Sequence, residues 1–166
     1  RKSDEKSVWL SDFEKDSAMM IKDVFGSAFL VKDSCPDLHW KLTNENRVIA
    51  GYNCRKAVGR IMDSVYVFAF YTDEILIPGG PCTVNGLPGM ILGMTIPRLY
   101  SSWIANKVTV RSVKSEELTV ATTSKNSFNR KAATQTVIDK TKGWTENSDD
   151  PESRKWIDQL IWNLIL

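Results

Sequence analysis

Apolar and polar residues alternate along much of this chain, and a period of two is typical of β-strands. Residues 65–72 form an aromatic-rich run in which Tyr66, Phe68 and Phe70 share one side and Val65, Val67, Ala69 and Tyr71 the other. Both sides are apolar, so this strand is predicted to be buried on both faces. Asn44 to Asn46 offers a hairpin turn, and Asp63-Ser64 a second turn. Further strands are predicted at residues 28–31, 39–43, 48–61, 90–96, 103–113 and 117–123. The succession predicts an antiparallel meander.

The period changes to that of a helix near the C terminus. Asp150 is placed as an N-cap, Pro151 suits the first helical position and Glu152 suits the positive end of the helix dipole. The apolar residues at helical spacing, predicted to be buried, are Trp156, Ile157, Leu160, Ile161, Leu164 and Ile165. A less regular helix is predicted over residues 126–140, beginning at Asn126, with residues 145–149 as a connection. Its apolar side is formed by Ala132, Ala133, Val137 and Ile138. The pattern therefore predicts an α+β fold.

Length and charge narrow the class of protein. A chain of 166 residues suits one domain, residues 1–166, with a single core. Its net charge of +2 comes from scattered basic residues, which argues against a nucleic-acid partner. No apolar run has the length of a transmembrane segment. The chain opens on Arg1 without a methionine, which is typical of a processed or trimmed product.

Few residues suggest enzymatic chemistry. His39 is the single histidine, and no nucleophile elbow, zinc-protease or phosphate-loop motif occurs, so no catalytic residue and no cofactor is predicted. Cys35, Cys54 and Cys82 allow either three thiols or one disulfide, of Cys54 with Cys82 or Cys35, and one thiol. A soft metal site for copper or zinc, made by His39 with these cysteines, is a less favoured alternative.

Residues 86–93 combine turn residues with a strand. Pro88 fixes one backbone dihedral and Gly89 supplies a positive φ, which predicts a type II turn from Leu87 to Met90. The apolar residues that follow suit a buried strand. The motif is therefore interpreted as a turn that leads into the core.

This motif, together with an earlier strand, resembles the GLPGLI family of Bacteroidota. The matching residues are Gly51, Tyr52, Cys54, Lys56 and Ala57, then Gly86, Leu87, Pro88, Gly89 and Ile91. The similarity covers about residues 38–110 and also includes Trp40-Lys41-Leu42 and Phe70-Tyr71-Thr72. The resemblance implies an exported protein of the periplasm or outer envelope, without a settled activity. It also implies a curved, half-barrel-like antiparallel sheet with C-terminal helices packed against it.

A curved sheet of this kind provides a surface for binding. The aromatic side chains that are candidates for a concave apolar pocket, or else for the core, are Trp40, Tyr52, Tyr66, Phe68, Phe70, Tyr100 and Trp103. The leading hypothesis is a non-enzymatic envelope protein that binds a partner protein or a small apolar ligand on its sheet. A metal-handling protein or enzyme using His39 and the cysteines is the first alternative. A purely structural accessory domain is the second.

Overall fold

The computed structural model describes residues 7–119, 127–146 and 150–166. In these residues, nine strands and two helices give the α+β fold that the sequence predicts. In chain order the elements are β1 (Val8–Asp12), β2 (Ser17–Val24), β3 (Ser27–Asp33), β4 (Lys41–Ile49), β5 (Tyr52–Ile61), β6 (Val65–Thr72), β7 (Met90–Ile96), β8 (Ser101–Ile104), β9 (Ser127–Phe128), α1 (Arg130–Glu146) and α2 (Pro151–Ile165). Within the described ranges, no helix has the length and apolar character needed to cross a membrane.

The chain divides into two compact units. Cys35–Leu118 form what we call the central unit, and Arg1–Ser34 with Thr119–Leu166 form the discontinuous unit. The single-domain interpretation, which concerns how the units fold together, stays a prediction.

The discontinuous unit consists of a four-stranded sheet with the two helices packed on it. The strand order is β1-β2-β3-β9, antiparallel except for the parallel pair β3 and β9. Val24 and Phe29 of the sheet form one buried cluster with Val137 of α1 and Leu164 of α2. The expected packing of C-terminal helices on a sheet is therefore found in this unit.

Arg130 links three parts of the discontinuous unit. Its backbone N–H donates to the Asp33 carboxylate at 2.9 Å, and its guanidinium donates to the carbonyls of Ser34 at 2.6 Å and Ile165 at 3.0 Å. The end of β3, the start of α1 and the end of α2 thus meet at one side chain. Bonds from a charged donor are stronger than neutral ones, which suits a junction between distant segments.

Helix α1 begins later than the sequence predicts. Asn126 lies outside the described residues, and the carboxamide oxygen of Asn129 accepts the N–H of Ala132 at 2.7 Å instead. The helix also continues through residues 145 and 146, which were predicted as a connection. Of its predicted apolar side, Ala133 and Val137 are buried, but Ala132 and Ile138 are exposed.

Helix α2 begins as predicted, but its buried side differs. Asp150 is the N-cap, and its carboxylate accepts the Glu152 N–H at 3.3 Å and the Ser153 hydroxyl at 3.0 Å. These hydrogen bonds, the backbone one first, lower the pKa of Asp150. The prediction that Trp156 is buried is wrong, because 47% of it is exposed, whereas Trp162 lies in the core.

The central unit is the predicted antiparallel meander, with strand order β4-β5-β6-β7-β8. Alternate residues of β6, Val65, Val67, Ala69 and Tyr71, are buried. Tyr66 on the other side is 53% exposed, and Phe68 and Phe70 are half-buried. The prediction that both faces of this strand are buried is therefore wrong, since one face is open to solvent.

The first hairpin of the central unit turns at a different place from the one predicted. The chain reverses at Ala50 and Gly51, which have φ values of 49° and 85°, and not at Asn44 to Asn46. Two successive positive φ values suit the right-handed twist of a hairpin. Residues 44–46 remain within β4, where the register shifts between Leu42 and Asn46.

The last predicted strands are shorter or absent. Strand β8 ends at Ile104, although residues 103–113 alternate, and Val110 is 84% exposed. Alternation alone does not make a strand where no neighbour pairs with it. Ser115–Leu118 forms a 3-10 turn where the 117–123 strand was predicted to begin, and residues 120–123 lie outside the described ranges.

The long connection between β6 and β7 fills the buried face of the central sheet. Thr83, Val84 and Leu87 in this connection are buried. The indole N–H of Trp40 donates to the carbonyl of Asn85 at 2.8 Å, which holds the connection against the sheet. The expected space inside a half-barrel is therefore occupied by the chain itself.

The glycines of this connection do not form the predicted turn. Gly86 has the positive φ, of 93°, whereas Gly89 is not among the residues with positive φ. Gly89 is needed for a different reason, because the backbone of Thr72 leaves no room for a side chain. A Cβ atom at Gly89 would lie 2.0 Å from the carbonyl oxygen of Thr72. The motif therefore has the structural role that the sequence predicts. Glycine is required at position 89 because two backbone segments approach closely there, and not because of a positive φ.

We expect Gly89→Ala to destabilise the protein by about 3 kcal/mol, because the methyl group cannot coexist with the Thr72 carbonyl. Gly51→Ala is the matched control, since Gly51 has a φ of +85° but no atom within 4 Å of the position that a Cβ would take. Its expected cost is about 1 kcal/mol, from backbone conformation alone. Urea unfolding measures both, and equal losses would contradict the steric explanation.

Candidate functional site

The solvent-facing side of the central sheet, which we call the open face, carries a row of aromatic rings between basic side chains. Cross-strand pairing sets this arrangement, because directly opposite residues share a face. Lys56 pairs with Phe70, and Arg60 with Tyr66. Lys41 pairs with Val58, which pairs with Phe68. Thr95, Ser102, Gly93 and Ile104 continue the same rows across β7 and β8.

Two cations lie over the aromatic row. The Arg47 guanidinium is 4.6 Å from the ring centre of Phe70, and the Lys56 ammonium is 5.6 Å from that of Phe68. Both distances are within the range of cation–π attraction, which contributes roughly 0.5–1 kcal/mol at exposed sites. Glu45 also holds Lys56, with 2.6 Å between ammonium and carboxylate. The side chains of Arg47 and Lys56 are therefore held in place by neighbouring residues of the open face.

The open face is positive. The Glu45 carboxylate contacts two of the basic side chains, Lys56 and Arg47, and lies 3.9 Å from the Arg47 guanidinium. The four cations are Lys41, Arg47, Lys56 and Arg60. An excess of cations over an apolar row favours a ligand that carries negative charge next to apolar groups.

A shallow depression of about 240 Å³ lies beside Phe70. Gly93 forms part of its floor, and a Cβ there would lie 2.8 Å from a methyl carbon of Ile49. Arg47 and Ile104 line its sides. The absence of a side chain at Gly93 thus makes room for the Ile49 side chain to pack against β7. The volume that remains in the depression is enough for a single apolar side chain.

The structure separates the aromatic residues that were predicted to form one pocket. Tyr66, Phe68 and Phe70 are together on the open face. Trp40 lies on the opposite face, where its ring is 2.8 Å from a Cβ placed on Gly59. Trp103 pairs with the buried Met94 and so shares that opposite face.

Of the other two aromatic residues, Tyr52 is on the open face and Tyr100 lies apart from it. Tyr52 shares the side of β5 that carries Lys56, and it packs together with Phe70 against the cluster of Ile49, Cys54 and Leu92. Tyr100 is largely exposed, in a left-handed conformation that ends a 3-10 turn.

A larger, open groove lies at the β8 edge of the same sheet. Its volume is about 720 Å³ and its lining includes Pro81, Met90, Leu92, Trp103 and Val108. The groove forms where the chain leaves β8, held by the bond from the Ala105 N–H to the Leu92 carbonyl at 2.8 Å. We call it the edge groove.

The residues proposed for metal binding do not converge. His39 is exposed, Cys54 is buried, and Cys35 and Cys82 are half-buried. In residues 7–119, 127–146 and 150–166, no group of three or more His, Cys, Asp or Glu side chains is placed to hold a metal ion. None of the three cysteines is in a disulfide. The metal-handling alternative stays a hypothesis.

Cys54 is an inert thiol in this environment. It is 1% exposed, and its Sγ lies 3.6 Å from the carbonyl oxygen of Tyr52, to which it donates. Burial, more than the nearby Glu74 charge, raises the pKa of this thiol above its ordinary value. A neutral buried thiol is a poor nucleophile and a poor metal ligand.

Comparison with known proteins adds little to this geometry. No protein-family model and no curated protein matches the chain. Two solved structures of PNGF-II, in space groups C2 and P21, are similar to it, each with a TM-score of 0.48 and with sequence identities of 22% and 19%. The match covers 72% of this chain and 23% of the PNGF-II chain. This likeness concerns the course of the chain alone, and membership of the GLPGLI family stays a prediction.

In the native protein we expect iodoacetamide to label Cys54 at least about ten-fold more slowly than Cys35 or Cys82, since it is buried and protonated. Mass spectrometry of the digested protein measures each rate. In denaturant the three rates should become similar. Rapid labelling of native Cys54 would show that its surroundings open to solvent.

Proposed function

We propose that this chain is a non-enzymatic binding protein of the bacterial envelope, whose open face binds an acidic segment of a partner protein. The observation that carries the proposal is the aromatic row Tyr66, Phe68 and Phe70 beneath two positioned cations, Arg47 and Lys56. Aromatic residues and arginine are enriched where proteins bind one another. The location in the envelope rests on the resemblance to the GLPGLI family.

The size of the depression favours a side chain over a free ligand. Pockets for small molecules usually measure about 300–1,000 Å³ and enclose most of the ligand. The depression beside Phe70 measures about 240 Å³ and is open on one side. A single apolar side chain of a bound segment fits there, next to Arg47. Carboxylates of the same segment can meet Lys41 and Arg60, which lie further along the open face beside Phe68 and Tyr66.

The same face is less suited to single-stranded nucleic acid. Such ligands stack their bases on free aromatic faces. Here cations already lie over Phe68 and Phe70, so stacking would first have to displace them. The net charge of the chain, +2, also supplies little long-range attraction for a polyanion.

The edge groove supports a second candidate function, the binding of a small apolar ligand. Its volume of about 720 Å³ is within the usual range for ligands, and most of its lining is apolar. We expect the neutral dye N-phenyl-naphthylamine to fluoresce on addition of the protein, and Val108→Asp to abolish the signal. Lys41→Glu/Arg60→Glu is the control that should leave it unchanged. A signal that Val108→Asp does not alter would place the dye elsewhere.

For the open face, the probe is a labelled peptide in which glutamates flank one leucine, compared with the same peptide carrying glutamines. Fluorescence anisotropy should show binding of the acidic peptide that weakens as salt is raised. We expect Lys41→Glu/Arg60→Glu to weaken it at least about ten-fold, because two attractive charges become repulsive. Both residues are exposed, so the fold should be retained.

Lys32→Glu/Lys131→Glu is the matched control, because it makes the same change of charge at two exposed residues of the discontinuous unit. It should leave binding within about two-fold of the original. Equal binding of the glutamine peptide would overturn the proposal. Tighter binding of an oligothymidylate than of the acidic peptide would replace it with a nucleic-acid site.

A further inference from the structure

Three aromatic side chains of the discontinuous unit form a cluster on the protein surface. The ring centres of Phe25 and Trp144 are 5.4 Å apart, those of Phe25 and Trp156 6.2 Å, and those of Trp144 and Trp156 6.1 Å. The hairpin between β2 and β3, the end of α1 and the first turns of α2 each contribute one ring. We call this group the aromatic cluster.

The cluster is exposed although the unit has a core that could bury aromatic residues. Phe25 is 40% exposed, Trp156 47% and Trp144 54%, whereas Trp162 of the same unit is 7% exposed. A contiguous group of large exposed rings is unusual on a soluble surface and often marks a binding site.

The orientation of the rings suits a ligand that stacks. Phe25 meets Trp144 edge-on, with an angle of 87° between the ring planes, which fixes the direction of the indole. Trp144 and Trp156 are tilted by 34° at 6.1 Å, too far apart to stack closely on each other. The two indoles therefore keep ring surface available to a ligand.

Polar groups border the cluster. An open depression of about 420 Å³ is lined by Trp144, Trp156, Ile157 and the first residues of α2. Glu152 there is 81% exposed at its side chain, so its carboxylate can accept further hydrogen bonds. Aromatic walls with a few polar groups are typical of small-molecule sites, and the volume is within their usual range.

The charges around the depression favour a neutral ligand. The carboxylates of Asp150 and Glu152 line it, but Asp150 already accepts two hydrogen bonds as the cap of α2. Lys155 lies 3.9 Å from Glu152 and offsets its charge. The two carboxylates outnumber the one ammonium, but the positive end of the α2 dipole offsets part of the Asp150 charge, so little net charge remains to attract an ion.

We propose that the aromatic cluster binds a neutral saccharide. A sugar ring has an apolar face of C–H groups, which can lie on Trp144 and Trp156, and a rim of hydroxyls, which can donate to Glu152. A ligand with both surfaces matches the rings and the polar border together. This site belongs to a different unit from the open face, and its test does not depend on the function proposed there.

The experiment uses the full chain with three neutral probes, cellohexaose, chitohexaose and mannohexaose, in calorimetric titrations. We expect at least one to bind, and both Trp144→Ala and Trp156→Ala to weaken that binding at least about ten-fold. Trp156→Tyr, which keeps a stacking ring, should stay within about three-fold. Ile138→Ala is the control, since it removes an exposed apolar side chain of α1 outside the cluster.

Circular dichroism of each variant separates lost binding from lost fold. Failure of all three probes to bind at about 10 mM would overturn the proposal, as would binding that neither tryptophan variant weakens. Exposed tryptophan side chains also bind to the surface of lipid membranes, and sedimentation with phosphatidylcholine vesicles tests this alternative. Vesicle binding that depends on Trp144 and Trp156, without saccharide binding, would assign the cluster to a membrane surface instead.

Discussion

The close approach of Gly89 to the carbonyl oxygen of Thr72 determines which side of the central sheet is available to a ligand. It brings the connection between β6 and β7 against the sheet, where further backbone bonds fix it, including the one from the Ile91 N–H to the Gly79 carbonyl at 2.8 Å. Leu87 and Val84 then take the place that a ligand would have in an empty half-barrel. The chain fills one face with its own residues, and the other face of the sheet stays open to solvent.

The ligands proposed for the open face and for the aromatic cluster require different physical means of recognition. The open face has little enclosed volume, so its selectivity comes from charge, with cations held over Phe68 and Phe70. The aromatic cluster has nearly balanced charge and offers ring surface on Trp144 and Trp156. A ligand that suits the open face is therefore expected to bind poorly to the aromatic cluster, and the reverse. The two surfaces differ in both charge and shape.

The sequence predicts best those elements whose signal is local. Strand β6 follows from its aromatic-rich apolar run, β7 from the apolar run after a turn, and the start of α2 from Asp150 and Pro151. Alternation also places Tyr66, Phe68 and Phe70 on one side, so half of the candidate site is predictable. Partners across the sheet depend on register, which is why Arg47 and Gly93 were missed.

The predictions that the structure contradicts have one cause in common. Each concerns a feature that is determined by contacts with residues distant in sequence. Residues 103–113 alternate, yet only Ser101–Ile104 finds a partner strand. Trp156 occupies an apolar helical position, but it contacts Phe25 and Trp144 on the surface instead of the core. Nothing in the sequence around Asn44 to Asn46 indicates that the reversal at Ala50 and Gly51 is preferred.

The parallel pair β3 and β9, together with Arg130, has a consequence for the order of folding. Leu30 pairs with Ser127, and Arg130 binds Asp33 and Ile165, so the discontinuous unit needs both ends of the described chain before it can close. The central unit contains all its strands in one uninterrupted segment and needs neither end. Because contacts between distant residues form slowly, the central unit is the natural first structure during synthesis. The first three strands must then stay unpaired with β9 until residues 127 and 128 have been synthesised.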